Sequence, residues 1–146
     1  MRDRIFIDTN VLVYLLLENE SRKHSQAVQL MEALKGNFIF ISTQVLNELY
    51  VSLQKHDIDE AEIENKIRKL IGIYNILIID ISTIKLCWKV SRKYSYSYWD
   101  SLIIASALES NCSILYTEDM QDGQIIEDRL RIMNPFSEKT GSKGRF

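Results

Sequence analysis

The chain has 146 residues, 46% of them apolar and 26% charged, a balance and length that suit one ordinary globular core and exclude extensive disorder. Net charge is only −2 with a pI near 5.7, so composition gives no electrostatic reason to expect nucleic-acid binding; such a function has to come from a site. The longest apolar runs, residues 11–17 and 102–108, are too short to cross a bilayer, and no charged, apolar and cleavage-site order opens the chain. Cys87 and Cys112 form neither a disulfide framework nor a zinc signature. A soluble, cytoplasmic protein with reduced cysteines is expected.

Short β-rich apolar runs alternate with longer stretches of helical apolar spacing, the pattern of a parallel sheet wrapped by helices. Residues 5–8 read as the first strand, followed by helices near 11–18 and 25–34. A strand at 38–42 runs into a helix at 43–54. Next, Ile63, Ile67, Leu70 and Ile71 make an apolar stripe while Glu62, Glu64, Lys66, Arg68 and Lys69 fill the polar remainder of an amphipathic helix. Asp59, with Glu62 three residues later, marks its start as an acidic variant of a capping box. A strand at 76–80, helices at 83–94 and 98–109, and strands at 113–117 and 130–133 complete the order. The largely continuous apolar character of these strands suits burial on both faces. The expected fold class is therefore α/β: a single domain over residues 1–136, with a central, mostly parallel β-sheet flanked by helices. Residues 137–146 turn to Ser, Lys, Gly and Thr, which bury too little apolar surface to offset chain ordering, and are expected to form a flexible tail.

Four acids stand at chemically suggestive places. Asp8 follows Ile5-Phe6-Ile7 and opens Asp8-Thr9-Asn10, at the carboxyl end of a strand, the edge where ligands bind in open α/β sheets. Asp, Thr and Asn are equally good helix N-caps, so this position serves structure as readily as chemistry. Asp119, in Thr117-Glu118-Asp119, should emerge at the same edge, although acids populate loops for many reasons and Asp122 is an alternative fourth acid. Asp100 lies in Tyr98-Trp99-Asp100-Ser101, in the first turn of a strongly apolar helix. The helix dipole favours an acid there by about 0.3–1 kcal/mol whether or not it does chemistry. Glu48 lies one turn into the helix that follows the second strand. Val45, Leu46, Leu49 and Leu53 share one face of that helix and leave Glu48 off it; alone it would read as a solvated glutamate.

Together and in this order, the opening strand with Asp8-Thr9-Asn10, the early-helix Glu48, the Trp-Asp-Ser start at Asp100 and the strand-end Thr-x-Asp at Asp119 resemble the PIN domain family. The likeness is greatest to the toxin components of bacterial toxin and antitoxin pairs, and it covers nearly the whole chain to about Pro135. It implies a parallel sheet between helices and Mg²⁺- or Mn²⁺-dependent endonucleolytic cleavage of RNA. Asp8, Glu48, Asp100 and Asp119 would be the catalytic, metal-holding acids: Asp8, Asp100 and Asp119 binding metal directly or through water, Glu48 positioning metal or activating water. Asn10 and Thr117 would support them. A homodimer and a cognate antitoxin protein are further implications of the resemblance.

The donor chemistry points the same way. Converging carboxylates repel by about 1 kcal/mol per pair even in bulk water, and more in a partly buried cleft, so they call for a cation or protons. Hard oxygen ligands with no nearby Cys or His pair favour Mg²⁺ or Mn²⁺ over zinc, and such an ion can activate water for in-line attack on phosphorus. Arg92, Lys93 and Tyr96, in a basic and aromatic segment just before Asp100, are candidate RNA contacts, although basic residues favour helix C-termini in any case. His24 and His56 are isolated and have no triad partner in the sequence.

Two rival readings use other features. A receiver-like phosphotransfer domain would place a phosphoacceptor at Asp80, but it requires an acidic pair after the first strand, where Thr9 and Asn10 stand. A haloacid dehalogenase-type phosphatase would need a second Asp at the position of Asn10. A non-catalytic interaction module of the same fold is the rival from another class, and retention of four acids argues against it.

Overall fold

A computed structural model of the chain describes residues 2–19 and 21–137. The expected tail, apart from Ser137, lies outside the described residues. The elements run β1 (Arg4–Ile7), α1 (Thr9–Leu16), α2 (Arg22–Ala33), β2 (Phe38–Ser42), α3 (Thr43–Lys55), α4 (Glu60–Ile73), β3 (Asn75–Leu77), α5 (Ile81–Tyr94), α6 (Tyr98–Glu109), β4 (Ile114–Tyr116), β5 (Ile125–Ile126) and β6 (Leu130–Met133). The strands form one sheet in the order β3-β2-β1-β4-β6-β5, parallel throughout except for β5 against β6. This is the expected α/β class with a mostly parallel sheet.

Local chemistry sets the element boundaries. Ser42 ends β2 and caps α3, its Oγ accepting from the Val45 N–H, so strand passes into helix without a loop. Asp59 caps α4 through the Ala61 N–H, and a full reciprocal box is built at α5, where Asp80 and Thr83 bond each other's backbone. The apolar run at 76–80 is shorter as a strand than its composition suggests. Leu77 pairs with Ser42, the last residue of β2, so Ile78 and Ile79 have no ladder to join; Ile78 is 72% exposed. Asp80 accordingly begins a helix rather than ending a strand. The Ser82 and Thr83 hydroxyls tie it to Glu109 at the far end of α6.

The core lies on the central strands. Ile5, Phe6 and Ile7 of β1 are essentially inaccessible, as are Ile41, Leu49, Leu53, Ile104 and Leu115. α1 packs on α3 and α5 on α6, while α6 also meets β2 and β4. Every residue of α6 from Ser101 to Leu108 is buried, which explains why its apolar residues run continuously rather than as a stripe. β1, β2 and β3 step outward in one direction, after which β4 returns to the other side of β1. The chain therefore reverses its winding between β1 and β4, and a crevice opens at their carboxyl ends. No helix of the described residues is long and apolar enough to cross a membrane.

Candidate active site

The sheet backbone anchors two residues at that crevice. The Asp8 N–H donates to the Tyr116 carbonyl and the Thr117 N–H to the Met133 carbonyl, both at 3.0 Å, so the strand ladders fix where each side chain begins. Asp8 is also the N-cap of α1: its Oδ1 accepts from the Thr9 N–H at 2.7 Å. Its Oδ2 accepts from the Thr117 hydroxyl at 2.8 Å. One carboxylate thus starts a helix with one oxygen and faces β4 with the other.

Asn10 links Asp8 to Asp119. Its Nδ2 lies 3.0 Å from Asp119 Oδ2, 3.2 Å from Thr117 Oγ and 3.4 Å from Asp8 Oδ2, while its Oδ1 accepts from the Glu118 N–H. That backbone donor fixes the direction of the amide, with the NH₂ toward the acids. The two adjacent acids diverge. Asp119 turns to Asn10, whereas Glu118 turns to Lys23 (2.7 Å) and the Tyr14 hydroxyl (2.8 Å). Asp122, the alternative fourth acid, accepts from the Asn134 N–H instead.

Glu48 approaches from α3. Its Oε1 accepts from the Thr9 hydroxyl at 2.8 Å and its Oε2 from Gln44 Nε2 at 2.9 Å. Gln44 Nε2 also donates to the Trp99 carbonyl at 3.1 Å, beside Asp100 in the first turn of α6. The Asp100 N–H is held by the Ser97 cap. The structure thus brings Asp8, Glu48, Asp100 and Asp119 to one crevice, with Asn10 and Thr117 between them. Gln44 escaped the sequence reading because a polar residue in an early helical turn looks like ordinary surface; Glu48 is its neighbour one turn on, but only the meeting of α3 with α6 adds the Trp99 carbonyl.

Glu48 and Asp119 bear on both Asp8 and Asp100. Asp8 is 4% exposed, and burial pushes its pKa up to about 7 despite the hydrogen bonds from Thr117 and Thr9; Glu48 and Asp119 add to the rise. Burial also raises the Asp100 carboxyl, with further contributions from Asp119 and Glu48. Among the described residues, no ion pair includes any of the four. A cleft of about 440 Å³ runs beside them, lined by Thr9, Asn10, Val13, Tyr14, Glu48, His56 and Asp119. A larger apolar groove, about 540 Å³, lies where β2 and β3 begin and contains none of these acids.

The expected RNA-contact segment has a different setting. Lys93 pairs with Glu127 at 2.8 Å, and the Tyr96 hydroxyl accepts from the Gln121 N–H and donates to Gln124. Lys93 thus holds the β5–β6 turn and Tyr96 the segment that leads into β5, while Arg92 is exposed in the last turn of α5.

A PIN domain model matches residues 5–121. The chain belongs to the PIN domain family. Solved structures with this PIN fold include a toxin-antitoxin complex from Klebsiella pneumoniae, 22% identical, covering 92% of this chain and 99% of that one at a TM-score of 0.70. The structure of Mycobacterium tuberculosis VapC20, a sarcin-ricin loop cleaving toxin, is 20% identical over 86% of this chain and 98% of its own, at 0.67. VapBC2 from Rickettsia felis, bound to a DNA fragment from its promoter, is 21% identical over 88% and 98%, also at 0.67. At these identities the likeness is one of fold. Among curated protein sequences, none matches.

Whether the PIN site suits a divalent cation rests on its donors. Among the described residues, no group of three His, Cys, Asp or Glu side chains is already arranged as a metal cage. The donor set itself consists of carboxylate oxygens, one of them deeply buried and, among the described residues, without a positive partner. Mg²⁺ keeps several waters and needs only one or two carboxylates from the protein, so a complete cage is not required. The residues fit Mg²⁺ or Mn²⁺.

Proposed function

We propose that this chain is a metal-dependent ribonuclease that hydrolyses RNA phosphodiester bonds internally, and that it is the toxin of a toxin–antitoxin pair. The observation that carries the proposal is a buried Asp8 at the switch point of a parallel sheet, grouped with Glu48, Asp100 and Asp119 and opposed by no cation among the described residues. A structural relative that is a sarcin-ricin loop cleaving toxin supports RNA as the substrate class, and the toxin-antitoxin complexes among the relatives support a protein antitoxin as partner. We assign a homodimer as its assembly on the family resemblance, and the cytoplasm as its location on the sequence reading.

Bound Mg²⁺ or Mn²⁺ supplies Lewis acidity for phosphate oxygens and lowers the pKa of water. Asp8, Asp100 and Asp119 are the residues we assign to hold it, and Glu48 completes the metal-holding set by positioning it. Thr117 and Thr9 donate to Asp8 and keep its carboxylate oriented and ionisable, while Asn10 aligns Asp119 with it. Glu48, held by Thr9 and Gln44, takes the proton from the attacking water. Arg92 belongs to the same proposal as a contact for RNA phosphates, which positions substrate without reading its sequence.

The test is cleavage of a defined RNA in Mg²⁺ or Mn²⁺ by wild type, Asp8→Asn and Asp100→Asn, each purified free of contaminating nucleases. Wild type cleaves, chelation stops it, and both variants lose most of the activity while remaining folded. Equal rates in all three overturn the assignment. A folded wild type that binds a partner protein but cleaves no RNA in either metal supports the non-catalytic reading.

A further inference from the structure

Gln44 is 8% exposed and has an unusual hydrogen-bond balance. Its Nε2 makes two bonds, to Glu48 Oε2 at 2.9 Å and to the Trp99 carbonyl at 3.1 Å, while its Oε1 is buried without a partner. Reversing the amide would set Oε1 against two acceptors, so the orientation follows from the neighbours. An unpartnered buried acceptor works against stability, and an apolar residue of similar length would fill the same space without it. Packing therefore gives no reason for an amide at this position. The reason lies in its donors, which join the Glu48 carboxylate on α3 to the backbone beside Asp100 on α6.

From this we infer that Gln44 is a positioning residue for the acidic centre, fixing the rotation of Glu48 and its spacing from Asp100. Glu48 has one donor on each oxygen, Thr9 and Gln44. With Thr9 alone, the carboxylate would pivot about Oε1 and Oε2 would lose its fixed direction. Hydrogen-bonding partners of metal-ligating groups typically change metal affinity or activity by about 10- to 100-fold when removed, and Gln44 stands in that relation to Glu48. The inference rests on the ribonuclease reading for its catalytic consequence, but its binding consequence is measured separately.

The experiment compares wild type with Gln44→Met, which keeps length and removes both donors. Three quantities are read: the Mn²⁺ dissociation constant by calorimetry without RNA, kcat and KM for RNA cleavage, and the melting midpoint in EDTA. Expected are Mn²⁺ binding weakened by about tenfold or more, a lower kcat with KM little changed, and a melting midpoint close to wild type, because the orphaned Oε1 disappears with the donors. In a Glu48→Gln background, Gln44→Met should add no further loss, since the residue acts through Glu48. Should Gln44→Met fail to fold, Gln44→Asn, which retains the amide one methylene short of its partners, makes the same comparison. Unchanged Mn²⁺ affinity, or an equal further loss in the Glu48→Gln background, overturns the inference. If wild type cleaves RNA, Asp8→Asn does not, and Gln44→Met matches wild type in every reading, the ribonuclease function stands and the role of Gln44 falls. If Mn²⁺ binding weakens in Gln44→Met but wild type cleaves no RNA, the positioning role stands and the ribonuclease function falls. A wild type that neither binds Mn²⁺ nor cleaves RNA sinks both.

Discussion

Replacing Asp8 by asparagine in metal-free buffer should change stability in a way that depends on pH, and the structure gives both sign and size. In the folded chain the Asp8 carboxyl titrates at about 7, against an ordinary value of 3.8, with burial the largest cause. Below the lower value the carboxyl is protonated in both states and folding is unaffected. As pH rises from about 4 to about 7 the unfolded chain releases the proton and the folded chain holds it, so stability is progressively lost; above about 7 the loss is complete. At about 1.4 kcal/mol per pH unit, the full span is worth about 4 kcal/mol, and with Asp8 at 4% exposure solvent does little to screen it. The substituted amide would carry no such charge. It would keep an oxygen for the Thr9 N–H, but its NH₂ would face Thr117 Oγ and Asn10 Nδ2, groups that now donate to Asp8 Oδ2, at a cost of about 1 kcal/mol per disturbed bond. The variant should therefore be no more stable than wild type near pH 4.5 and about 2 kcal/mol more stable at pH 8. Urea denaturation in EDTA at both pH values, with equal m-values required, measures the change. A difference between variant and wild type that moves by less than about 1 kcal/mol across this range would refute the argument that burial in an unneutralised site controls Asp8.

Three further outcomes are expected. At fixed ionic strength, Mn²⁺ should stabilise wild type by about 2.7 kcal/mol at a hundredfold excess over its dissociation constant, and thermal melts should show a smaller gain for Asp8→Asn; equal gains would place the cation elsewhere. Ser97→Ala removes the acceptor for the Asp100 N–H and should cost about 1 kcal/mol by denaturant titration, because Ser97 is the cap that starts α6. Cys112 is buried and its thiol is pushed up to about 12 by that burial, so it should resist iodoacetamide at pH 8 until urea unfolds the chain, as followed by mass spectrometry.

The strand and helix order was legible in the sequence because apolar runs and amphipathic stripes reflect burial directly. Strand limits were less so. Ile76 to Ile79 is uniformly apolar, yet pairing stops at Leu77 because the neighbouring strand has already turned into α3, a fact of register invisible in a single segment. β5 escaped notice for a related reason. It has only two residues, and its return toward β6 passes through Glu127 and Asp128, both at positive φ without the glycine or asparagine that usually announces such a turn. At the acidic centre, Asp8 and Asp119 could be read from strand ends and Asp100 from a helix start. Their use as structural groups did not conflict with this: Asp8 caps α1 and faces the crevice at once. Gln44 had no comparable signal: its spacing from Glu48 is an ordinary helical i, i+4 pair, and the Trp99 carbonyl that completes its role comes from a tertiary contact between α3 and α6.

The hydrogen bond between Asn10 and Asp119 joins residues 109 positions apart, and Thr117 is itself tied by its N–H to Met133. A chain still being synthesised therefore has no complete acidic centre until β4 has emerged and β6 has closed beside it. If the proposed activity holds, this order of assembly is protective: the nascent chain would be harmless to the ribosome and message that produce it, and truncated products ending before Asp119 would lack the complete centre.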